Sequence, residues 1–546
     1  MRNFAFLLLS GLALRAQTPD AVRLGPLEVN GAGYRIDNIH VRGIPYATDI
    51  WGSVFYPKTL ASGATYPLIL MLHGNHGICR IPGTKTDLIT ALPPPACSPG
   101  LTQTPNHEGY DYLAGHLASH GYIVASINAN SINGRAAGIS ERGRLVQEHL
   151  RFFELWNSAA GGYPFATTFS GKIDLTRVGL WGHSRGGEGV RAAYEFNRQE
   201  RRPFAIKAVM EFGPVDFGRL SATGANPLFN VDNVAFSVVL PVCDRDVSTN
   251  EGMRAFDRAF RLPEAQNPSA KSQLYLWGAN HNFTNVEWDP EDSLLRCIDY
   301  PVITSRNEQM EISKIYTMAF FRMYLGGENF RGLFSGDAPP PPEVRTPVHL
   351  SYADPMRLVV DDFSRPRPVL PDTPRLNLLG GTTTFRNATG TVCAGNACNT
   401  LLPGDWYHDP AVSAARVAWE NAAEPAAVRM EMGLDAQPRD VSSYSHVAFR
   451  AAVRFDAVNP YGQSSQAFAV RLIDVENKSA VLRPTSETQA LPFPSGSLYR
   501  RAVLKTVRLP LAGATGVDLT KLSRMEILFD GQPSGSVYVT EVQFTR

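Results

Sequence analysis

Gly182-His183-Ser184-Arg185-Gly186-Gly187 is the stretch of this sequence with the most definite chemistry. It has the form Gly-x-Ser-x-Gly, follows the apolar run Arg177 to Trp181, and opens a stretch of helical character from Gly186 to Arg198. In that setting the serine sits on a sharp strand-to-helix turn that lifts its hydroxyl above a sheet edge. Side chains at positions 182 and 186 would collide there, so both must be glycine. A serine alcohol is a weak nucleophile at neutral pH and needs a base. Between Ser184 and the proline run at 339–342 there is one histidine, His281, in Gly278-Ala279-Asn280-His281-Asn282-Phe283. The imidazole in turn needs a carboxylate to fix its tautomer and to stabilise the imidazolium. Cys243-Asp244-Arg245-Asp246-Val247 offers two after the apolar run Ser237 to Val242. Asp246 is preferred and Asp244 is second; Glu211 and Asp216 are the outside alternatives. The expected triad is therefore Ser184, Asp246 and His281.

Attack on a carbonyl builds negative charge on its oxygen, and fixed N–H groups must point at it. Arg185, the residue after the nucleophile, supplies one such backbone N–H. The second is expected from His73-Gly74-Asn75-His76-Gly77, directly after the apolar run Pro67 to Leu72, with Asn75 as first choice and Gly74 next. His73 and His76 lack a third ligand at suitable spacing, so no metal is expected there. The Arg185 side chain has two readings. It either pairs with Glu188 on the same first turn of helix, which is favoured, or presents a guanidinium fork to a carboxylate on the substrate.

Leu72-His73-Gly74, Gly182 to Gly187, Asp246 and His281 together resemble the α/β-hydrolase superfamily in order and spacing. Within it the chain is similar to the group of dienelactone hydrolases, chlorophyllases and cutinase-like polyester hydrolases, over roughly residues 35–330. The resemblance implies a mostly parallel sheet with helices on both faces, and a serine esterase acting through an acyl-enzyme. The cysteine beside the acid and the one after the histidine, Cys243 and Cys297, are similar to those of bacterial cutinase-like members. This sequence departs from the group at Arg185, at Glu188 and in the long Pro/Cys loop 78–108.

The elements that must position these residues read as follows. Apolar runs at 67–72, 122–127, 177–181, 208–212, 237–240 and 273–277 alternate with helical stretches at 110–120, 141–156 and 186–198. That pattern argues an α/β class, a parallel sheet covered on both faces. Pro339-Pro340-Pro341-Pro342 marks a linker, since a proline run can join neither a helix nor a central strand. Beyond it, short alternating runs at 446–455, 468–474, 504–509, 525–529 and 537–544 argue an all-β sandwich, a jelly roll. The expected division is 1–16 signal peptide, 17–336 catalytic domain, 337–356 linker and 357–546 β-sandwich. The last part resembles carbohydrate-binding or galactose-binding-like jelly rolls through Val359 to Phe363 and Gly535 to Val542. That resemblance makes Asp361, Asp362 and Glu541 candidate ligands of a structural calcium. Trp406, Tyr407, Trp419 and Tyr461 are candidate sugar-stacking aromatics, though such residues are more often core or rim.

The chain has 546 residues, 44% of them hydrophobic, and a formal charge of +1. The balance gives no electrostatic reason to expect nucleic acid as a partner. Arg2, the apolar run Phe4 to Leu14 and Ala16 read as an export signal, and no later run is long enough to span a membrane. A secreted or periplasmic location follows, and six cysteines fit it. Pairing is open from sequence; proximity favours 79–97, 243–297 and 393–398. The expected function is hydrolysis of a carboxylic ester, a polymer among the candidate substrates, with no catalytic cofactor. A peptidase or amidase using the same triad is the first alternative. A carbohydrate-binding protein on a degenerate hydrolase scaffold is the second.

Overall fold

The computed structural model describes residues 19–85, 87–89, 97–133, 138–218, 228–261, 267–289, 292, 304–365, 375–394, 412–454, 458–459, 466–492 and 502–546, with 87–89 and 394 as backbone only. The expected signal peptide lies outside these residues, as do Cys297, Cys398, Trp406, Tyr407 and Tyr461.

The chain opens with β1 (Val29–Ile39), β2 (Thr48–Pro57) and β3 (Tyr66–Leu72). Three short strands follow, β4 (Cys79–Arg80), β5 (Asp87–Ile89) and β6 (Thr102–Gln103). Then come α1 (Asp111–Ser119), β7 (Ile123–Ile127), α2 (Ile139–Asn157), β8 (Ile173–His183), α3 (Arg185–Arg198), β9 (Ile206–Phe212), β10 (Ala235–Pro241), α4 (Met253–Phe260) and β11 (Lys271–Leu276). Helices α5 (Arg306–Tyr324) and α6 (Arg331–Ser335) precede β12 (Val348–Ala353). Nine of the strands form one sheet in the order β1-β2-β7-β3-β8-β9-β10-β11-β12. Its centre, from β7 to β11, is parallel, while β1-β2-β7 at one side and β11-β12 at the other are antiparallel. Strand β3 shows why the centre holds: Pro67 to Leu72 are all buried, and alternate residues enter two separate cores. Leu68, Leu70 and Leu72 join Leu145, Leu150 and Val190, whereas Ile69 and Met71 join Leu113, Leu117 and Phe320.

This corrects the expected class. An α/β-hydrolase sheet, mostly parallel with helices on both faces, was read from the sequence. The chain is instead strand-dominated, 34% strand against 21% helix, with a mixed nine-stranded sheet, several antiparallel sheets and only six α-helices. The difference arises where local patterning was weak. The segment 29–57 pairs with itself as the antiparallel β1–β2 ribbon. Residues 348–353, inside the expected linker, pair antiparallel with β11 and extend the sheet. A proline run stops a strand only where the prolines are, and β12 starts beyond Pro347.

The remainder is β13 (Arg357–Asp361), β14 (Thr383–Arg386), β15 (Thr389–Ala394), β16 (Ser413–Trp419), β17 (Ala426–Glu431), β18 (His446–Val453), β19 (Ala469–Asp474), β20 (Ser479–Leu482), β21 (Lys505–Pro510), β22 (Leu522–Phe529) and β23 (Gly535–Thr545). One antiparallel sheet runs β15-β16-β23-β18-β21, with β13 also on β23; the other runs β14-β17-β22-β19-β20. Their facing residues, among them Val417, Phe449 and Val539 from the first and Val428, Val470 and Ile527 from the second, share one core. Trp419 is buried in it, stacked on Phe529 at 5.0 Å with its indole N–H donated to the Gln532 carbonyl, so it offers no face to a sugar. The expected calcium ligands are committed elsewhere. Asp361 binds Arg375 and Thr383, Asp362 accepts from Ser364, and Glu541 faces Arg450.

The two parts are joined through buried charge. Arg450 of β18 donates to Asp257 of α4 at 2.8 Å, to both oxygens of Glu541 at 3.2 Å, and to Ser351 of β12 at 3.0 Å. All three charged side chains are at most 2% exposed. Around them Ser351 donates to the Leu504 carbonyl, Tyr352 N–H to the Thr506 hydroxyl and Arg357 to the Phe260 carbonyl. Burial, opposed by Arg450, pushes the Glu541 carboxyl up to about 7. A carboxyl raised in the folded state binds more protons folded than unfolded, so its contribution to stability falls as pH rises from its ordinary range through about 7.

Replacing Arg450 by Met should therefore leave two buried carboxylates without their common cation and cost about 3–5 kcal/mol. Urea denaturation at pH 7 and pH 5 checks this: the loss should be smaller at pH 5, where Glu541 is protonated. Equal stability of variant and parent at pH 7 would refute the assignment.

Candidate active site

Ser184 caps α3 with φ +57° and ψ −129°, and is 2% exposed. The left-handed φ is costly for a residue with a Cβ and persists because its surroundings leave no alternative. Its N–H donates to the Phe212 carbonyl at 2.9 Å, and its carbonyl accepts from Gly187 at 2.9 Å. A Cβ on Gly182 would collide with the Gly186 carbonyl, and one on Gly186 with the Leu72 and His73 carbonyls. A Cβ on Gly74 would strike the Ser184 side chain itself. The segment after β3 is thus pressed against the nucleophile, and only glycine allows that approach. Arg185 begins α3, so its N–H lies in the first turn, where a helix has donors without intrahelical partners.

The turn Gly74-Asn75 is clamped from behind by His73, which is fully buried. His73 Nε2 accepts the Ala129 N–H at 2.8 Å, which leaves Nδ1 as the protonated nitrogen, donating to the Gly74 carbonyl at 2.8 Å. Burial above all holds the ring well below the ordinary histidine range, hence neutral. Both of its nitrogens serve the backbone. His76 instead lies flat on Trp288, 4.6 Å away and within 5° of parallel.

Trp288 escaped the sequence reading, although it organises the site. Its ring also stacks on His183 at 4.8 Å and lies 6.3 Å from His281. Its indole N–H donates to Asn106 at 2.7 Å. Asn106 also donates to the Gly77 carbonyl and to Asn130, tying the oxyanion-side loop to the same ring.

His281 follows β11 and is buried, with Nδ1 donating to Asp244 Oδ2 at 2.7 Å. Asp244 is fully buried after β10, and its other oxygen accepts the Val247 N–H at 2.7 Å. The two loops are bonded directly, Val242 N–H to Leu276 and Cys243 N–H to Ala279. The acid is therefore Asp244, and the expectation of Asp246 is corrected. Asp246 is 65% exposed and stands on the other side of the ring, 3.4 Å from Nε2. The turn from Asp244 to Val247 turns the first carboxylate inward and the second outward. Glu211 and Asp216 are excluded as acids because Arg191 binds both, bidentate to Glu211 at 2.9 and 3.1 Å and to Asp216 at 2.6 Å.

His281 Nε2 has no hydrogen-bond partner, so the serine hydroxyl does not touch it in this state. The two residues nevertheless share one corner. Ser184 hangs from the Phe212 carbonyl, and the next residue, Gly213 at φ +48°, packs so closely that a Cβ there would lie 3.2 Å from both Asp244 Oδ2 and His281 Nδ1. The His183 and His281 rings are 4.7 Å apart. Such hydrogen bonds commonly tighten only with substrate bound. Asp292, also missed, accepts the His281 N–H at 2.9 Å and steadies the loop. No sequence pattern marks it, because its partner is backbone. Burial opposes protonation of His281, but Asp244, Asp246 and Asp292 outweigh it and raise the ring to about 9.

The favoured pairing of Arg185 with Glu188 is not made. Glu188 is buried and accepts the N–H groups of Phe217 and Gly218 at 2.8 and 2.6 Å. Cys79 and Cys97 form a disulfide as expected. Cys243 and Cys393 are also disulfide-bonded, and their expected partners lie outside the described residues. No protein-family model matches the sequence, and no curated protein matches it significantly.

The assignment of the acid is testable without substrate. In nitrogen-15 NMR titrations His281 should titrate near 9; Asp244→Asn should lower that midpoint strongly and remove the Nδ1 proton's hydrogen bond to a carboxylate. Asp246→Asn should lower it less. A larger shift from Asp246→Asn would reverse the roles.

Proposed function

We propose that the chain is a serine hydrolase of carboxylic esters, working through an acyl-enzyme on Ser184. The observation that carries this reading is the left-handed serine at the head of α3, one corner from a histidine held by a fully buried aspartate. A glycine-lined turn whose only task was structural would not need a strained serine or a dry Asp–His pair. The likeness to the esterase group is carried forward on the motif and the order of the triad, not on the architecture.

His281 Nε2 takes the proton from Ser184 Oγ as Oγ attacks the ester carbonyl. The backbone N–H of Arg185 and that of Asn75 or Gly74 hold the oxyanion. The imidazolium, stabilised by Asp244, gives its proton to the leaving alkoxide. Water then repeats the sequence: His281 takes its proton, hydroxide adds to the acyl carbonyl, and Ser184 leaves with that proton. An ester is favoured over an amide because its leaving group asks less of a single imidazolium donor. Export is proposed with the activity; the disulfide bonds support it.

A fluorophosphonate should label the protein, and Ser184→Ala should abolish labelling. Asp244→Asn should slow turnover of a short-chain ester by about 10³–10⁴-fold, with Asp246→Asn changing it far less. Attack needs neutral His281, so kcat/KM should rise with pH toward a midpoint near 9. Labelling that survives Ser184→Ala, or a pH profile flat from 6 to 9, would refute the reading.

A further inference from the structure

The buried arginines of this protein are committed to partners. Arg191 binds Glu211 and Asp216, Arg258 binds Asp216 through two nitrogens, and Arg375 binds Asp361. Arg185 is the exception beside the nucleophile. Its side chain is half-buried, yet its guanidinium makes no hydrogen bond or ion pair among the described residues, and Glu188, one turn along the helix, is occupied with backbone. Removing a guanidinium from water without a partner is costly, and its planar fork matches a carboxylate.

The surroundings are built rather than loose. The guanidinium lies 5.9 Å from the Phe217 ring, which is 36% exposed. Phe217 is fixed by Glu188 through its own N–H and that of Gly218, while Arg191 holds the Val215 carbonyl and Asp216. A flat apolar surface and an uncommitted cation therefore flank Ser184 on a pinned loop. The carboxylate that acts on Arg185 by charge is Asp246, the same exposed side chain that stands 3.4 Å from His281 Nε2. Being 65% exposed, it can turn to solvent at little cost.

We propose that Arg185 reads a carboxylate carried by the substrate close to its scissile ester, so that the preferred substrates are anionic esters, with Asp246 serving as counter-charge only while the site is empty. The proposal rests on the serine-hydrolase reading above. Arg185 acts as a specificity residue through its side chain, separately from its backbone N–H.

The test compares matched esters that differ in one charge: 4-acetoxybenzoate against its methyl ester for the alcohol side, and 4-nitrophenyl hydrogen glutarate against its methyl-capped form for the acyl side, each after subtraction of spontaneous hydrolysis. The parent should favour the anionic member of at least one pair in kcat/KM. Arg185→Gln should lower that charged-to-neutral ratio roughly 10- to 100-fold, mainly through KM, while Asp246→Asn should raise it by removing a competing negative charge. A ratio unchanged in Arg185→Gln for both pairs overturns the proposal, and if neutral esters are still turned over through Ser184 it leaves the hydrolase reading standing. Absence of both turnover and phosphonate labelling removes the two together.

Discussion

The strained backbone at Ser184 is the constraint on which the rest of the site depends. A residue with a Cβ stays in the left-handed region only if its neighbours hold it there. Here they come from three strands: Phe212 at the end of β9 receives its N–H, the segment after β3 presses on its side chain, and Gly186 passes beneath the carbonyls of Leu72 and His73. Each approach is close enough to exclude any side chain larger than hydrogen. The neutral His73 clamp and the Asn106–Trp288 contact then set the course of the neighbouring loop. Placement of the oxyanion donors is thus a consequence of how the nucleophile is held.

Buried charge does the corresponding work behind the acid and around the specificity loop. Arg191 gathers Glu211, Asp216 and the Val215 carbonyl, and Arg258 adds a second cation to Asp216. Such clusters contribute less to net stability than their number suggests, because every ion loses its hydration. What they supply is geometry: a loop between β9 and the far side of the site with one course open to it. The Arg450 cluster does the same for α4, the helix that follows the acid turn.

How much of this could be read in the sequence divides along physical lines. The nucleophile and its histidine were legible because steric exclusion writes glycines at fixed offsets and because His281 had no competitor. The acid was narrowed to two residues and then misassigned, since the phase of a turn that buries Asp244 and exposes Asp246 is decided by its hydrogen bond to Val247 and by packing. Trp288, Asn106 and Asp292 left no mark, as each works through a contact made across the fold. The fold class was misread for a related reason. The buried parallel strands announce themselves as apolar runs, whereas β1, β2 and β12 owe their place to pairing with partners distant in sequence or hidden behind prolines.

Strand β12 has a consequence for how this protein could have been assembled. It completes the nine-stranded sheet through β11, while its Ser351 and Tyr352 bond to β21 and the residue just before it. A segment that belongs to two cores at once cannot be inherited by one of them alone. The C-terminal half is thus no cassette to be shuffled onto other enzymes; its residues and those of the sheet must change in concert, and lineages that lost one half would have had to rebuild the exposed edge of the other.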